Sequence, residues 1–82
     1  MPDARHDAIL AGRRIVRTLK SSPDPLRDAR ALHAALAGAT GWSFRERREI
    51  EQFRQSLDAR PSDQVLRNRC DQLLGQLAAW RT

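Results

Sequence analysis

Apolar residues recur along this chain at spacings of three and four, and they do not alternate with polar residues as they would in a strand. Four such stretches are separated by short clusters of Ser, Pro, Asp and Gly. The pattern predicts an all-α fold, a small bundle of four helices at about residues 3–20, 25–37, 43–59 and 63–80. We expect a single domain over residues 1–82, because so short a chain buries only roughly 63% of its surface on folding.

Local sequence predicts where the second and third helices begin and end. Asp24 is the expected N-cap of the second helix, with a proline at its first position. The run Gly38–Gly41 is expected to end it, since glycine adopts a positive φ readily. Ser43 and Glu46, three residues apart, predict a capping box at the start of the third helix, and Trp42 before them is expected to pack as a hydrophobic staple.

The apolar faces of the predicted helices define the expected core. The face of the third helix is narrow, so we expect this helix on the outside of the bundle. The face of the fourth is wider than one neighbouring helix covers, which predicts either a central helix or a subunit interface. The predicted hydrophobic centre consists of Ile9, Ile15, Val16, Leu19, Leu32, Leu36, Ile50, Phe53, Leu57, Leu66, Leu73 and Leu77.

The end of the fourth helix is the predicted partner-binding surface. Trp80 lies two residues from the end of the chain. A tryptophan there either closes the core or anchors a partner, and the sequence leaves both alternatives open. The expected partner is another protein or a second copy of the chain in a homodimer, and the predicted contact residues are Leu74, Leu77, Ala78 and Trp80.

The charge balance indicates an anionic partner. Fifteen Lys and Arg residues stand against ten Asp and Glu, which gives a net charge of +5 and a pI near 11.2. The surplus lies at the two ends, because residues 1–20 carry five cations and two anions and residues 60–82 carry four cations and two anions. On the first predicted helix, four cations lie beside the apolar stripe and are candidates for phosphate contact: Arg13, Arg14, Arg17 and Lys20. The alternative is a solvated helix face, whose positive charge near the C-terminal end interacts favourably with the helix dipole.

A short pattern between the second and third predicted helices is formed by Leu36, Ala37, Gly41 and Ser43. It resembles the core of the bacterial helix-turn-helix family over about twenty residues. The resemblance implies that Ala37 lies where the two helices cross, that Gly41 makes the turn, and that the following helix enters the major groove of duplex DNA. The residues it would present to DNA are Phe44, Arg45 and Arg48.

Two features of the third predicted helix depart from that family. Arg47 stands where the family buries an aliphatic residue. The four acids of the helix also offset its arginines, and acids near phosphates weaken DNA binding.

No arrangement of reactive side chains points to catalysis. Cys70 falls on the apolar stripe of the fourth helix and His33 at the edge of the core, so both are expected to be structural. One cysteine and two distant histidines do not form a zinc site. We expect no enzyme, no cofactor, no metal and no small-molecule substrate. We also expect no membrane partner, because no segment approaches the roughly 20 apolar residues of a membrane span. The expected location is cytoplasmic.

Two functions of different classes remain. The first is a non-enzymatic protein-protein interaction module, a small regulator, inhibitor or adaptor, which docks an apolar helix face and its arginine rim onto a partner. The second is a helix-turn-helix DNA-binding regulator. The position of the surplus charge favours the first, because it lies outside the third helix, whereas the turn pattern favours the second.

Overall fold

The computed structural model describes residues 4–80, and of Trp80 the backbone alone. It contains four helices: α1 (Ala4–Leu19), α2 (Pro25–Ala37), α3 (Phe44–Asp58) and α4 (Asp63–Trp80). No strand occurs between residues 4 and 80. The predicted all-α bundle is therefore confirmed, and each helix boundary within the described range lies within one residue of its prediction.

The start of α2 and the turn after it follow the predicted local chemistry, with one correction. Asp24 Oδ1 accepts a hydrogen bond from the Arg27 backbone N–H at 3.2 Å. At the other end, Gly38 keeps an ordinary φ of −74° and its N–H still bonds to the Ala34 carbonyl. The positive φ belongs to Gly41, at +91°. Of the two glycines in the predicted turn, only Gly41 uses the conformational freedom of its residue type.

The predicted capping box begins α3. Ser43 Oγ accepts from the Glu46 N–H at 3.2 Å, and Glu46 Oε1 accepts in return from the Ser43 N–H at 2.8 Å. Both bonds satisfy backbone donors that the first turn of a helix leaves without an intrahelical partner. They fix the point at which the chain turns from the α2–α3 linker into α3.

Two helices hold the bundle together. α2 and α4 each pack against all three other helices, whereas α1 and α3 lie diagonally and their backbones do not approach closely. The central position of α4 accounts for its wide apolar face, whose buried members are Leu66, Cys70, Leu73, Leu74 and Leu77. This arrangement corresponds to the first of the two alternatives that the width of the face left open.

The core matches the predicted one closely. Eleven of the twelve predicted residues are buried, and Ile15 is half-buried at the edge of the cluster. The structure also buries Trp42, whose indole Nε1 donates to the Leu36 carbonyl at 2.7 Å. The remaining buried apolar residues that the predicted centre omitted are Ala8, Ala29, Cys70 and Leu74.

Candidate functional site

The first and fourth helices run antiparallel, and their separation is set by a glycine. Arg67 near the start of α4 donates from Nε to the carbonyl of Leu19, the last residue of α1, at 3.4 Å. Further along, a Cβ built on Gly12 would lie 2.8 Å from Leu32 Cδ1 and 2.9 Å from Leu74 Cδ2. Such distances are too short for carbon atoms, so the missing side chain at Gly12 lets α1 approach α2 and α4 closely.

An open groove of about 410 Å³ runs along the junction of α1 and α4. We call it the α1–α4 groove. Its α1 edge is cationic, its floor is apolar, and its α4 edge holds a carboxylate and a glycine; the lining residues are Arg13, Val16, Arg17, Lys20, Asp71, Leu74 and Gly75. A second hollow of about 190 Å³ extends it towards the start of α4 and shares Val16, Lys20 and Asp71 with it.

The positive charge of the groove is not neutralised within the described part of the chain. The side chains of Arg13, Arg17 and Lys20 are exposed and form no hydrogen bond or ion pair with another residue in the range 4–80. Asp71 lines the same groove and forms no ion pair with them. Three cations and one carboxylate therefore surround an apolar floor, which is a surface suited to a partly apolar anionic ligand.

Gly75 is the residue of the groove that the fold itself does not explain. It lies in the interior of α4, it is exposed, and a Cβ built on it would meet no atom within 4 Å. A glycine in a helix interior lowers the free energy of unfolding by roughly 0.5–1 kcal/mol relative to alanine. Neither close packing nor a positive φ requires glycine at this position, in contrast to Gly12 and Gly41.

The residues predicted for nucleic-acid contact lie on two separate surfaces. Arg13, Arg17 and Lys20 line the α1–α4 groove, whereas Arg14 is exposed elsewhere on α1. The others, Phe44, Arg45 and Arg48, are exposed on α3. Because α1 and α3 are diagonal in the bundle, the two sets do not form one continuous contact surface.

The turn between α2 and α3 departs from the helix-turn-helix geometry. Ala37, which the resemblance placed at the helix crossing, is exposed, so that prediction is wrong. The linker spans residues 38–43, longer than the three or four residues of the motif's turn. Gly41 does make a positive-φ turn, as the resemblance implied.

The outward face of α3 combines one exposed aromatic residue with mixed charge. Phe44 is 76% exposed. Its neighbours in an open hollow of about 580 Å³ include Arg47, Arg48 and Glu51. Arg54 donates from Nη2 to Glu51 at 2.6 Å and from Nη1 to Asp58 at 3.3 Å, and this bonding lowers the pKa of Glu51. One arginine of α3 is thus already neutralised by the helix's own acids.

Glu46 does not belong to that outward face. It is only 4% exposed, and Oε1 pairs with Arg5 Nη1 of α1 at 3.7 Å as well as bonding to Ser43. Its second oxygen, Oε2, is buried and has no hydrogen-bond partner among residues 4–80. The carboxylate therefore connects the start of α3 to α1, and three acids of α3, not four, lie outside the core.

The two candidate reactive residues occupy structural positions, as the sequence predicts. Cys70 is fully buried, and burial raises the pKa of its thiol to about 11. A thiol with that pKa is protonated and unreactive at neutral pH. His33 is half-buried at the edge of the core, and its pKa is lowered. Burial is the main cause, and the negative charge of nearby Glu51 offsets only part of it. Between residues 4 and 80, no group of three or more His, Cys, Asp or Glu side chains could hold a metal ion.

The predicted partner-binding residues at the end of α4 are mostly inside the bundle. Leu77 is fully buried and Leu74 is 4% exposed, so neither offers a broad surface to a partner. Ala78 is half-buried, and the side chain of Trp80 lies outside the described residues. The predicted surface is therefore corrected: because α4 is central in the bundle, its leucines pack in the core. Leu74 still lines the floor of the α1–α4 groove.

Comparison of this chain with family models, with curated proteins and with solved structures finds no match. Among the described helices, none is both long enough and apolar enough to cross a membrane. The feature of the molecule that points to a function is the α1–α4 groove, with its row of cations beside an apolar floor.

Proposed function

We propose that this protein is a non-enzymatic interaction module that binds an acidic segment of another protein in the α1–α4 groove. The observation that carries the proposal is the row of cations without ion pairs, Arg13, Arg17 and Lys20, beside an apolar floor. In this proposal, the apolar face and the arginine rim of the expected docking surface correspond to the floor and the α1 edge of the groove.

The apolar floor is what distinguishes this row from an ordinary solvated helix face. An exposed ion pair in water contributes only about 0–1 kcal/mol, because solvent screens it. A ligand that also covers Val16 and Leu74 excludes water from the neighbouring charges and strengthens their attraction. The charges then speed association and select an anionic partner, while the apolar contact slows its release.

A role for α3 as a recognition helix that binds duplex DNA has less support. Arg47 and Arg48 are exposed there and form no ion pair with another residue of the described range 4–80, but Arg54 is bonded to Glu51 and Asp58. Acids on the same helix would lie near phosphates and oppose binding. The long linker and the exposed Ala37 also differ from the geometry that places a recognition helix in the major groove.

Two matched charge reversals test the proposal. The ligand is a synthetic peptide of about 18 residues, long enough to form a helix, built from Glu, Leu, Ala and Lys. Calorimetric titration at physiological salt should show binding by the natural chain, and Arg13→Glu with Arg17→Glu should weaken it at least about tenfold. Arg47→Glu with Arg48→Glu changes the net charge equally on an exposed helix, and it should alter the Kd by less than about twofold.

Duplex DNA serves as the competing ligand. We expect it to bind only at low salt and to be displaced near physiological ionic strength, because few phosphates would be contacted. The proposal is overturned if the peptide binds equally well to both double variants. It is also overturned if duplex DNA binds more tightly than the peptide at physiological salt and the Arg47, Arg48 pair controls that binding.

A further inference from the structure

We infer that the acidic segment is an α-helix that lies along the α1–α4 groove and places an apolar side chain over Gly75. This inference rests on the proposed function and adds to it the conformation and the side-chain pattern of the ligand. Three features of the groove support it: its length, the spacing of its cations, and the unfilled space at Gly75.

The groove has the dimensions of a helix-binding site. Together with the second hollow that extends it, the groove has an α4 edge that runs from Gln64 to Gly75. At 1.5 Å rise per residue these positions span about 16 Å, or three helical turns. Two antiparallel helices form its walls, so a third helix can lie between them with its side chains in the depression. This is the arrangement in which an amphipathic helix docks its apolar face into a groove.

The cations repeat at the period of a helix. Arg13, Arg17 and Lys20 are separated by four and three residues, and they extend over about 10 Å along α1. Carboxylates at positions i, i+4 and i+7 of a second helix have the same spacing on one face. Each cation can then face one carboxylate without bending the ligand. On a strand, the carboxylates of one face lie about 6.6 Å apart, which is wider than the rise of about 6 and 4.5 Å between these cations along α1.

Gly75 gives the space for an apolar side chain of the ligand. A Cβ on this residue would meet no atom of the described residues within 4 Å, yet Gly75 lines the groove beside Leu74. The chain thus has glycine, which destabilises a helix, at a position where its own packing does not require glycine. The open space adjoins the apolar floor, so a leucine-sized side chain of the ligand fits there and covers Leu74.

Asp71 orients the ligand. Its carboxylate lies on the α4 edge, opposite the cations of α1. Like charges facing each other repel, so the acidic edge of the ligand helix must face α1 and its other edge must be neutral or basic. The ligand is therefore an amphipathic helix with carboxylates on one edge, an apolar centre and a neutral or basic opposite edge.

The test compares two arrangements of one peptide composition and two sizes of side chain at position 75. The helical peptide carries Glu at i, i+4 and i+7 beside a leucine stripe, and its control has the same residues scrambled so that no face is amphipathic. We expect the helical peptide to bind at least about tenfold more tightly than the scrambled one. Gly75→Leu should reduce its affinity at least about tenfold, and Gly75→Ala by a smaller factor.

The stability of each variant is measured alongside, by thermal unfolding. Alanine and leucine both favour a helix over glycine, so neither variant should melt below the natural chain, and any loss of affinity then comes from the filled groove. Gln72→Leu is the matched control, because Gln72 is exposed on α4 and lines a hollow on the α3 side instead. It should leave the Kd within about twofold.

The outcomes separate this inference from the proposed function. If Arg13→Glu with Arg17→Glu abolishes binding while Gly75→Leu leaves it unchanged, the position over Gly75 is wrong and the proposed function stands. If the scrambled peptide binds as tightly as the helical one, the helical conformation is wrong. If neither the charge reversal nor Gly75→Leu affects binding, both proposals are overturned.

Discussion

The indole Nε1 of Trp42 donates a hydrogen bond to the backbone carbonyl of Leu36 at 2.7 Å, across the turn that joins α2 to α3. The carbonyl belongs to the last turn of α2, where helical acceptors have no intrahelical donor. It also accepts from the Ala39 N–H at 3.2 Å. Trp42 thus attaches the linker to the end of α2 while its ring, 8% exposed, covers the core.

Replacing this indole tests the two roles separately. Trp42→Phe removes the donor and should lower the free energy of unfolding by about 0.5–1.5 kcal/mol, since the Leu36 carbonyl keeps the Ala39 N–H. Trp42→Ala removes the ring as well and should lower it by about 3–5 kcal/mol. Urea unfolding measures both. Phe44→Ala is the control, expected within about 0.5 kcal/mol of the natural chain, and equal losses for all three variants would contradict the account.

Two helix-interior glycines should respond to alanine with opposite signs. At Gly12 the new Cβ would meet the terminal methyl groups of Leu32 and Leu74 at less than 3 Å. Because both leucines are buried in the core and cannot move aside freely, Gly12→Ala should lower the free energy of unfolding by about 1–3 kcal/mol. At Gly75 it would meet nothing, so Gly75→Ala should raise that free energy by roughly 0.5–1 kcal/mol. Thermal unfolding of the two variants checks this. A shift of the same sign in both would show that α1 does not approach α4 as described.

Cys70 should make the protein sensitive to alkali. Burial raises its pKa from 9.0 to about 11, so between these pH values the unfolded chain loses its thiol proton and the folded chain keeps it. The stabilisation is complete below pH 9 and is lost as the pH rises through about 11, and it amounts to about 3 kcal/mol in total. Urea unfolding at several pH values measures it. In Cys70→Ala this part of the pH dependence should disappear. If the variant and the natural chain lose the same stability between pH 9 and 11, the prediction is wrong.

Asp71 should oppose the binding of an acidic ligand. Asp71→Asn removes the only carboxylate among the groove's lining residues and leaves the shape nearly unchanged. We expect the affinity for a purely acidic peptide to rise by about two- to fivefold at low salt, and the gain to shrink as salt screens the charges. Calorimetric titration at two ionic strengths measures this. A lower affinity in the variant would mean that Asp71 contacts the ligand favourably.

The helices themselves could be predicted because their boundaries depend on neighbours in sequence. Asp24 with Pro25 begins α2, and Ser43 with Glu46 begins α3, through contacts no more than three residues apart. Helical periodicity then identified the buried face of each helix. These features need no knowledge of which helix lies beside which.

The predictions that required tertiary structure were less successful. The wide face of α4 fitted two arrangements, and Leu77 was therefore assigned both to the core and to a partner, whereas it is fully buried. Trp42 was expected to pack forward on α3, but its indole nitrogen bonds back to α2. The groove depends on the antiparallel contact of α1 with α4, two helices distant in sequence. The sequence identified the cations of its α1 edge as a candidate binding surface, but it did not place them opposite Gly75 of α4.

The measurement that tests the central claim most directly is an NMR titration of the isotope-labelled protein with the acidic helical peptide. We predict that backbone amide signals of Arg13, Val16, Arg17 and Gly75 shift as the peptide is added, because these residues line the groove. Signals of Phe44 and Arg48 on the diagonal side of the bundle should stay in place. Shifts confined to α3, with the groove amides unchanged at saturation, would contradict the account.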